Sequence, residues 1–170
     1  MRMRVYRGEL WHRFAPEIAG SALLAHLATD QPTGGVEAHI SGYAQIMRVR
    51  VPLPNSPRAA SKAREELKRT IEQWGTSCSM DDLLLIVSEL VTNAFRYGKG
   101  PVAMHLAIED GHVLIAITDN ETKKVPVPGI ADDDQPTGRG LRLVTATASQ
   151  WGWQKLPGRK VVWAQVPIAA

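Results

Sequence analysis

Apolar residues recur along this chain with two different periods, and the change of period predicts its elements. Segments in which large apolar residues recur at every second position indicate strands, which fall at 47–51, 102–108, 113–119, 151–156 and 161–168. Apolar positions that recur every three or four residues indicate helices, which fall at 60–74, 80–97 and 140–148. Asp110-Gly111 and Pro157-Gly158 are turn pairs between successive strands, so both strand pairs are predicted to be antiparallel hairpins.

The predicted helix over 80–97 carries a polar stripe on an otherwise apolar surface. At about 100° per residue, Glu89, Asn93 and Arg96 fall within an arc of roughly 60°. The remaining surface is apolar and consists of Leu83, Ile86, Val87, Leu90, Val91, Ala94 and Phe95. Such a stripe faces either water or a polar ligand, and this segment alone favours neither alternative.

Three features downstream favour a ligand. Asp119 ends a strand on the same side as its apolar residues, so its carboxylate needs a hydrogen-bond donor, which a ligand amine would supply. Residues 120–137 follow, about eighteen positions rich in Pro, Gly and Asp without periodicity, and we expect a mobile lid there. Thr137-Gly138-Arg139-Gly140-Leu141 then opens a helix.

These residue types suit a bound nucleotide. Gly138 and Gly140 let the backbone approach phosphates at a helix N-terminus, although glycine pairs are also common in plain turns. The Arg139 guanidinium adds a cation. The side-chain oxygen of Asn93 suits Mg²⁺, which also takes oxygens from water and phosphates. Glu89, one turn earlier, is placed to orient or deprotonate a nucleophile.

The chain resembles a known superfamily. Glu89-x-x-x-Asn93, Asp119 and Gly138-x-Gly140, in this order around a lid, resemble the nucleotide-binding boxes of the GHKL ATPases. The segments 88–98, 138–144 and 162–164 resemble small actinobacterial ATP-binding proteins akin to anti-sigma-factor serine kinases. The resemblance implies a Bergerat-type α/β (α+β) two-layer sandwich, with a mixed, mostly antiparallel sheet and helices on one face. ATP and Mg²⁺ would lie between the helix layer and the lid.

The resemblance also implies a role for each matched residue. Glu89 would be the catalytic base, Asn93 the magnesium ligand, and Asp119 the carboxylate that reads adenine. The other expected nucleotide contacts are Arg96, Thr137, Gly138, Arg139, Gly140 and Leu141. Two positions depart from the pattern, because Glu121 stands where a glycine is common and Val161 where a threonine often contacts adenine. We therefore expect weaker adenine binding than is usual for the superfamily.

Two functions of different classes follow from the resemblance. One is a serine/threonine protein kinase that phosphorylates a small anti-sigma-factor antagonist and regulates a sigma factor. The other is a nucleotide-responsive binding module without useful phosphotransfer. Glu89 favours the kinase, whereas Glu121 and Val161 keep the module open, and a scaffold with a vacant pocket is a third alternative. The expected partners are the antagonist and/or a sigma factor, and a homodimer is also allowed.

Composition narrows the class further. The chain has 170 residues, of which 44% are hydrophobic and 22% charged, which suits a soluble protein with one core domain. We expect that domain at 46–168, able to fold without an N-terminal extension, 1–42, of unknown role. A net charge of +3 without long basic runs does not favour nucleic acid, and the apolar run at 18–25 is too short to span a membrane. Cys78 is a lone cysteine and the histidines lack ligand spacing, so we expect a cytoplasmic protein without a purely protein-built metal site.

Overall fold

The structure, a computed structural model, describes residues 5–6, 21–28, 37–41, 44–124, 126 and 139–169. The described residues form four helices, α1 (Ala22–Ala28), α2 (Ala59–Trp74), α3 (Met80–Tyr97) and α4 (Arg139–Thr147). They also form seven strands, β1 (Val5–Tyr6), β2 (Glu37–Ser41), β3 (Ala44–Leu53), β4 (Val102–Glu109), β5 (His112–Asp119), β6 (Gln150–Leu156) and β7 (Arg159–Pro167). Every helix and strand predicted between residues 46 and 168 is confirmed, and β3 is longer than predicted.

The strands form one sheet in the order β1-β6-β7-β5-β4-β3-β2. The pairs from β2 through to β6 are antiparallel, and β1 joins β6 in parallel, so the sheet is mixed and mostly antiparallel as predicted. Asp110 and Gly111 make the predicted tight turn between β4 and β5, both with positive φ angles of 50° and 72°. Because β5 is the middle strand, its last residue, Asp119, is far from both edge strands of the sheet.

Helices α2, α3 and α4 cover one face of this sheet. Their apolar sides pack against alternate strand positions in one continuous core, whose fully buried members include Leu67, Leu83, Ile86, Val87, Met104, Leu106, Ile115 and Val144. Gly75, with a φ of 62°, ends α2. The fold class predicted from the resemblance is therefore confirmed.

The ends of α3 and its buried side agree with the sequence pattern. Ser79 caps the helix, and its hydroxyl accepts the Asp82 N–H at 3.4 Å. The apolar side of α3 lies in the core, which leaves Glu89 and Asn93 half-buried along its edge. The polar stripe therefore borders the packed interior rather than standing free in water.

The opposite face of the sheet is covered by α1, which the prediction of helices on one face did not include. Leu23, Leu24 and Leu27 pack against a second apolar cluster formed by Ala107, Leu114, Ala116, Leu156, Val161 and Trp163. The central strands are apolar at both alternating sets of positions, so both faces need cover. The division of the chain near residue 42 stays a prediction. Within the described ranges, no helix has the length and apolar character needed to cross a bilayer.

Glu109 at the end of β4 anchors α1. Its Oε1 accepts the Leu23 N–H at 2.7 Å and its Oε2 accepts the Ser21 hydroxyl at 2.7 Å. At the other end of α1, the Arg159 Nη2 donates to the Leu27 carbonyl at 2.6 Å. The N–H groups in the first turn of a helix have no hydrogen-bond acceptor within the helix, and a carboxylate at that end supplies one.

Glu109→Ala is expected to release α1 from the sheet, because it removes two buried hydrogen bonds worth about 1–3 kcal/mol each. Hydrogen–deuterium exchange should show faster exchange of the amides at 22–28, with little change in β5. Glu65→Ala, at an exposed position of α2, is the control. Unchanged protection of 22–28 in Glu109→Ala would mean that apolar packing alone holds α1.

Candidate functional site

Helix α3 carries the predicted site residues Glu89 and Asn93 in its second half and ends beside Gly98. Glu89 and Asn93 lie one turn apart, and Gly98 directly follows the helix. At about 1.5 Å per residue, the positions from 89 to 98 span roughly 13 Å of helix axis. That length is comparable to the distance between the base and the terminal phosphate of a nucleoside triphosphate, so the helix could lie alongside one.

The first end of the site is the contact between Glu89 and the start of α4. A Cβ atom built on Gly140 would lie 3.2 Å from the Glu89 Cδ and would overlap the Glu89 Oε2. Glycine at this position therefore allows the close approach. Arg139, the first residue of α4, is exposed beside it, whereas the Leu141 side chain is buried in the core and positions the helix. Thr137 and Gly138 lie outside the described residues.

The second end of the site is the buried carboxylate of Asp119, which is 1% exposed. It packs against Gly98, where an added Cβ would lie only 2.8 Å from the Asp119 Cγ. The Asp119 Oδ1 accepts the Glu121 N–H at 2.8 Å, and the Oδ2 lies 3.3 Å from the Lys160 Nζ. The donor that a carboxylate on this face requires is therefore present within the chain.

Glu121 stabilises the segment 120–124 that follows β5. Its Oε2 lies 2.9 Å from the Lys99 Nζ, and its Oε1 accepts the backbone N–H groups of Lys123 at 2.8 Å and Lys124 at 3.4 Å. The Lys99 ammonium first, and then the Lys123 N–H, lower the pKa of the Glu121 carboxyl to about 2. A lowered carboxyl pKa means that this stabilisation is complete above the ordinary value of 4.5 and is lost as the pH falls through about 2.

The residue beside Asp119 on the neighbouring strand is Lys160 rather than Val161. The register of β5 and β7 pairs Asp119 directly with Lys160, which places both side chains on the face covered by α2, α3 and α4. Val161 points to the other face, where it belongs to the cluster under α1. The sequence did not reveal Lys160, because no hairpin turn sets the register between two strands that do not follow each other.

For the predicted site residues Asn93 and Arg96, the structure gives the degree of burial and, for Arg96, a nearby cavity. Asn93 is half-buried on α3, between Glu89 and Gly98 in the sequence. Arg96 is exposed and lines a cavity of about 220 Å³ with Ser56, Pro57 and Phe95, beside the start of α2. A nucleotide contact for Arg96 stays a prediction. Of the predicted lid, the structure describes only 120–124 and 126.

The comparison with known families decides the class. Residues 53–166 match the family model of the histidine kinase-like ATPase domain, which covers more than half of the chain. The chain belongs to the histidine kinase-like ATPase family. Domains of this family bind ATP, usually with Mg²⁺. The superfamily inferred from Glu89, Asn93, Asp119 and the glycine pair is therefore confirmed.

Individual relatives are more distant. An uncharacterized protein of Streptomyces coelicolor is 31% identical over 80 residues, which are 45% of this chain and 76% of that protein. The crystal structure of the RsbU and RsbW domains of Rv1364c from Mycobacterium tuberculosis aligns with a TM-score of 0.55 at 18% identity, over 72% of this chain and 33% of that one. Acinetobacter baumannii histidine kinase AdeS aligns with a TM-score of 0.41 at 15% identity, over 71% and 68% of the two chains.

The Mycobacterium structure supports the fold and nothing finer. This chain spans only 33% of the length of that structure, so the activity of the larger protein does not transfer to it. The family match is what connects this chain with ATP chemistry. Any function more specific than ATP binding has to be inferred from the geometry around Glu89 and Asp119.

Proposed function

We propose that this chain is an ATP-binding serine/threonine protein kinase of the anti-sigma-factor type. The observation that carries the proposal is the contact between the Glu89 carboxylate and Gly140 at the start of α4, one helical turn from Asn93. This contact supports the proposal because a carboxylate suited to act as a base, a carboxamide suited to Mg²⁺ and the start of a helix then share one end of the site. Asp119 lies at the other end as an acceptor for the adenine amine.

Asn93, half-buried at the edge of α3, is the residue that would hold Mg²⁺ together with the phosphates. Gly140 brings the start of α4 against the Glu89 carboxylate, so the N-terminal amides of that helix, which suit a phosphate, lie at this end. The bound ion would neutralise phosphate charge. The proposal includes four further nucleotide contacts, Arg96, Thr137, Gly138 and Arg139. It also includes Leu141, which lies in the same helical turn as Arg139.

Glu89 supplies the chemistry of transfer in this proposal. Its carboxylate takes the proton of a serine or threonine hydroxyl while that oxygen bonds to the γ-phosphorus. The bond from the γ-phosphorus to its bridging oxygen breaks, and ADP leaves with the electron pair. The reaction therefore needs only ATP and the hydroxyl as reactants.

The proposed protein substrate is a small anti-sigma-factor antagonist, and the proposed output is regulation of a sigma factor. Support comes from the resemblance of 88–98 and 138–144 to anti-sigma-factor serine kinases, and from the likeness to a structure that includes an RsbW domain. A homodimer and a cytoplasmic location are parts of the same proposal.

A second candidate is a nucleotide-responsive binding module without phosphotransfer. The observation that favours it is the closed arrangement at Asp119, where Lys160 and the Glu121 N–H already occupy the carboxylate oxygens. A nucleotide base would have to displace the segment that carries Glu121 in order to reach this carboxylate. Such a displacement could change a partner surface without any chemistry.

A transfer assay separates the two candidates. The full chain is incubated with ATP labelled at the γ-phosphate, Mg²⁺ and a small antagonist protein encoded nearby. We expect label on a serine or threonine of the antagonist, and its loss when EDTA removes the metal. ATP-dependent capture of a sigma factor without any transfer would instead establish the binding module.

A further inference from the structure

A buried lysine stands at the base end of the site. The Lys160 side chain is 6% exposed and lies 3.3 Å from the Asp119 carboxylate, which is 1% exposed. Lysine is rarely buried to this extent, because an ammonium loses much of its hydration in a protein interior. Such a burial needs an anionic partner, and Asp119 provides it.

The direction of the Lys160 side chain follows from the strand pairing. Asp119 and Lys160 are directly opposed across β5 and β7, so they share one face of the sheet. Val162, two residues on, packs in the core under α2, α3 and α4, whereas Val161 lies under α1. Lys160 is therefore on the helix-covered face, beside the carboxylate proposed to read adenine.

The ammonium has hydrogen-bonding capacity to spare. It carries three N–H donors. Among the described residues, the structure gives it two oxygen partners, the Asp119 Oδ2 at 3.3 Å and the Lys124 carbonyl at 3.2 Å. The Lys124 carbonyl belongs to the short segment 120–124, which Glu121 and Lys99 hold in place.

We propose that Lys160 is a second base-reading residue, which donates a hydrogen bond to N1 of adenine while Asp119 accepts one from the exocyclic amine. The inference rests on the proposed binding of ATP. On the Watson–Crick edge of adenine, the 6-amine, a donor, lies next to N1, an acceptor. In this chain the Asp119 carboxylate, an acceptor, lies next to the Lys160 ammonium, a donor. N1 would take the place of the Lys124 carbonyl as an acceptor of the ammonium.

The burial of the pair sets a condition on binding. Because Asp119 is 1% exposed, a base reaches it only after a neighbouring group moves, and in this proposal the segment 120–124 separates from Lys99. The contacts that must open are the ion pair from Lys99 to Glu121 and the bond from the Asn120 N–H to the Lys99 carbonyl at 2.8 Å. Lys160 and Asp119 then remain on the strands as a fixed pair.

The same pair explains how one purine would be chosen over another. Guanine carries an N–H at position 1 and an oxygen at position 6. In the orientation that adenine takes, that N–H would meet the ammonium and that oxygen would meet the carboxylate. Both contacts are repulsive, so we expect GTP to bind much more weakly than ATP.

The test compares ATP with 1-deaza-ATP, in which a C–H replaces N1, by calorimetry on the full chain with Mg²⁺. In the wild type, we expect 1-deaza-ATP to bind about 10- to 100-fold more weakly, because a buried ammonium loses its acceptor. In Lys160→Met, the two nucleotides should bind within about twofold of each other. Lys155→Met is the matched control, because Lys155 pairs with Lys160 across β6 and β7 but is exposed.

The outcomes separate this inference from the proposed function. Equal binding of ATP and 1-deaza-ATP by the wild type overturns the role of Lys160 and leaves ATP binding intact. Tighter ATP binding by Lys160→Met also overturns it, since Lys160 would then be a competitor for Asp119. A wild type that binds neither nucleotide overturns the proposed function as well. If Lys160→Met does not fold, the comparison of the two nucleotides on the wild type decides alone.

Discussion

Glu89→Gln is expected to slow phosphoryl transfer by about 10²–10⁴-fold while ATP affinity stays close to that of the wild type. Glutamine keeps the shape of the side chain and its place against Gly140, but it cannot take up a proton from a hydroxyl. Asn93 and the free amides at the start of α4 are unchanged, so the groups proposed to bind phosphate and metal remain. Binding and chemistry should therefore separate in this variant.

Transfer to the antagonist and calorimetry of ATP with Mg²⁺ are the two measurements. Glu65→Gln, at an exposed position of α2, makes the same chemical change away from the site and should behave as the wild type. Transfer at the wild-type rate in Glu89→Gln would remove Glu89 from the role of base. Loss of ATP binding in that variant would assign Glu89 to binding instead.

Asp119→Asn is expected to weaken ATP binding by about 1.5–3 kcal/mol, which corresponds to roughly 10- to 150-fold. The substitution exchanges an anionic acceptor for a neutral amide of the same size. An asparagine oxygen can still accept the Glu121 N–H, so the turn after β5 should persist. Lys160 loses its counter-ion, and the free energy of unfolding should fall as well.

Both quantities need to be measured on the same preparation. Denaturant unfolding gives the loss of stability, and calorimetry at a temperature where the variant is folded gives the loss of affinity. Asp81→Asn, on the exposed first turn of α3, is the control for removal of one negative charge. Unchanged ATP affinity in Asp119→Asn would contradict the assignment of this carboxylate to the base.

The elements that local signals define could be predicted from the sequence. Helix α3 has a capping serine at Ser79 and an apolar stripe, and the hairpin from β4 to β5 has its turn pair at Asp110 and Gly111. Glu89 and Asn93 share one helix, so their proximity needs no tertiary information. The three separated boxes supplied the rest of the site only through the resemblance.

Contacts between distant parts of the chain could not be predicted in this way. Asp119 and Lys160 meet because β5 and β7 are neighbours in a particular register, which neither strand encodes by itself. From the sequence, Glu121 is only a departure from a common glycine, because its contact with Lys99 depends on the end of α3 lying beside the end of β5. The packing of α1 on the second face depends on both faces of the sheet being apolar.

We propose that ATP lies along α3, with its base at Asp119 and its phosphates at Glu89 and Gly140. The most direct test is a crystal structure of the full chain with Mg²⁺ and an ATP analogue that cannot be hydrolysed. We predict the adenine amine within hydrogen-bond distance of the Asp119 carboxylate, the metal on the Asn93 side-chain oxygen, and the phosphates at the start of α4. A nucleotide bound elsewhere, or a base that leaves Asp119 paired only with Lys160, would contradict this account.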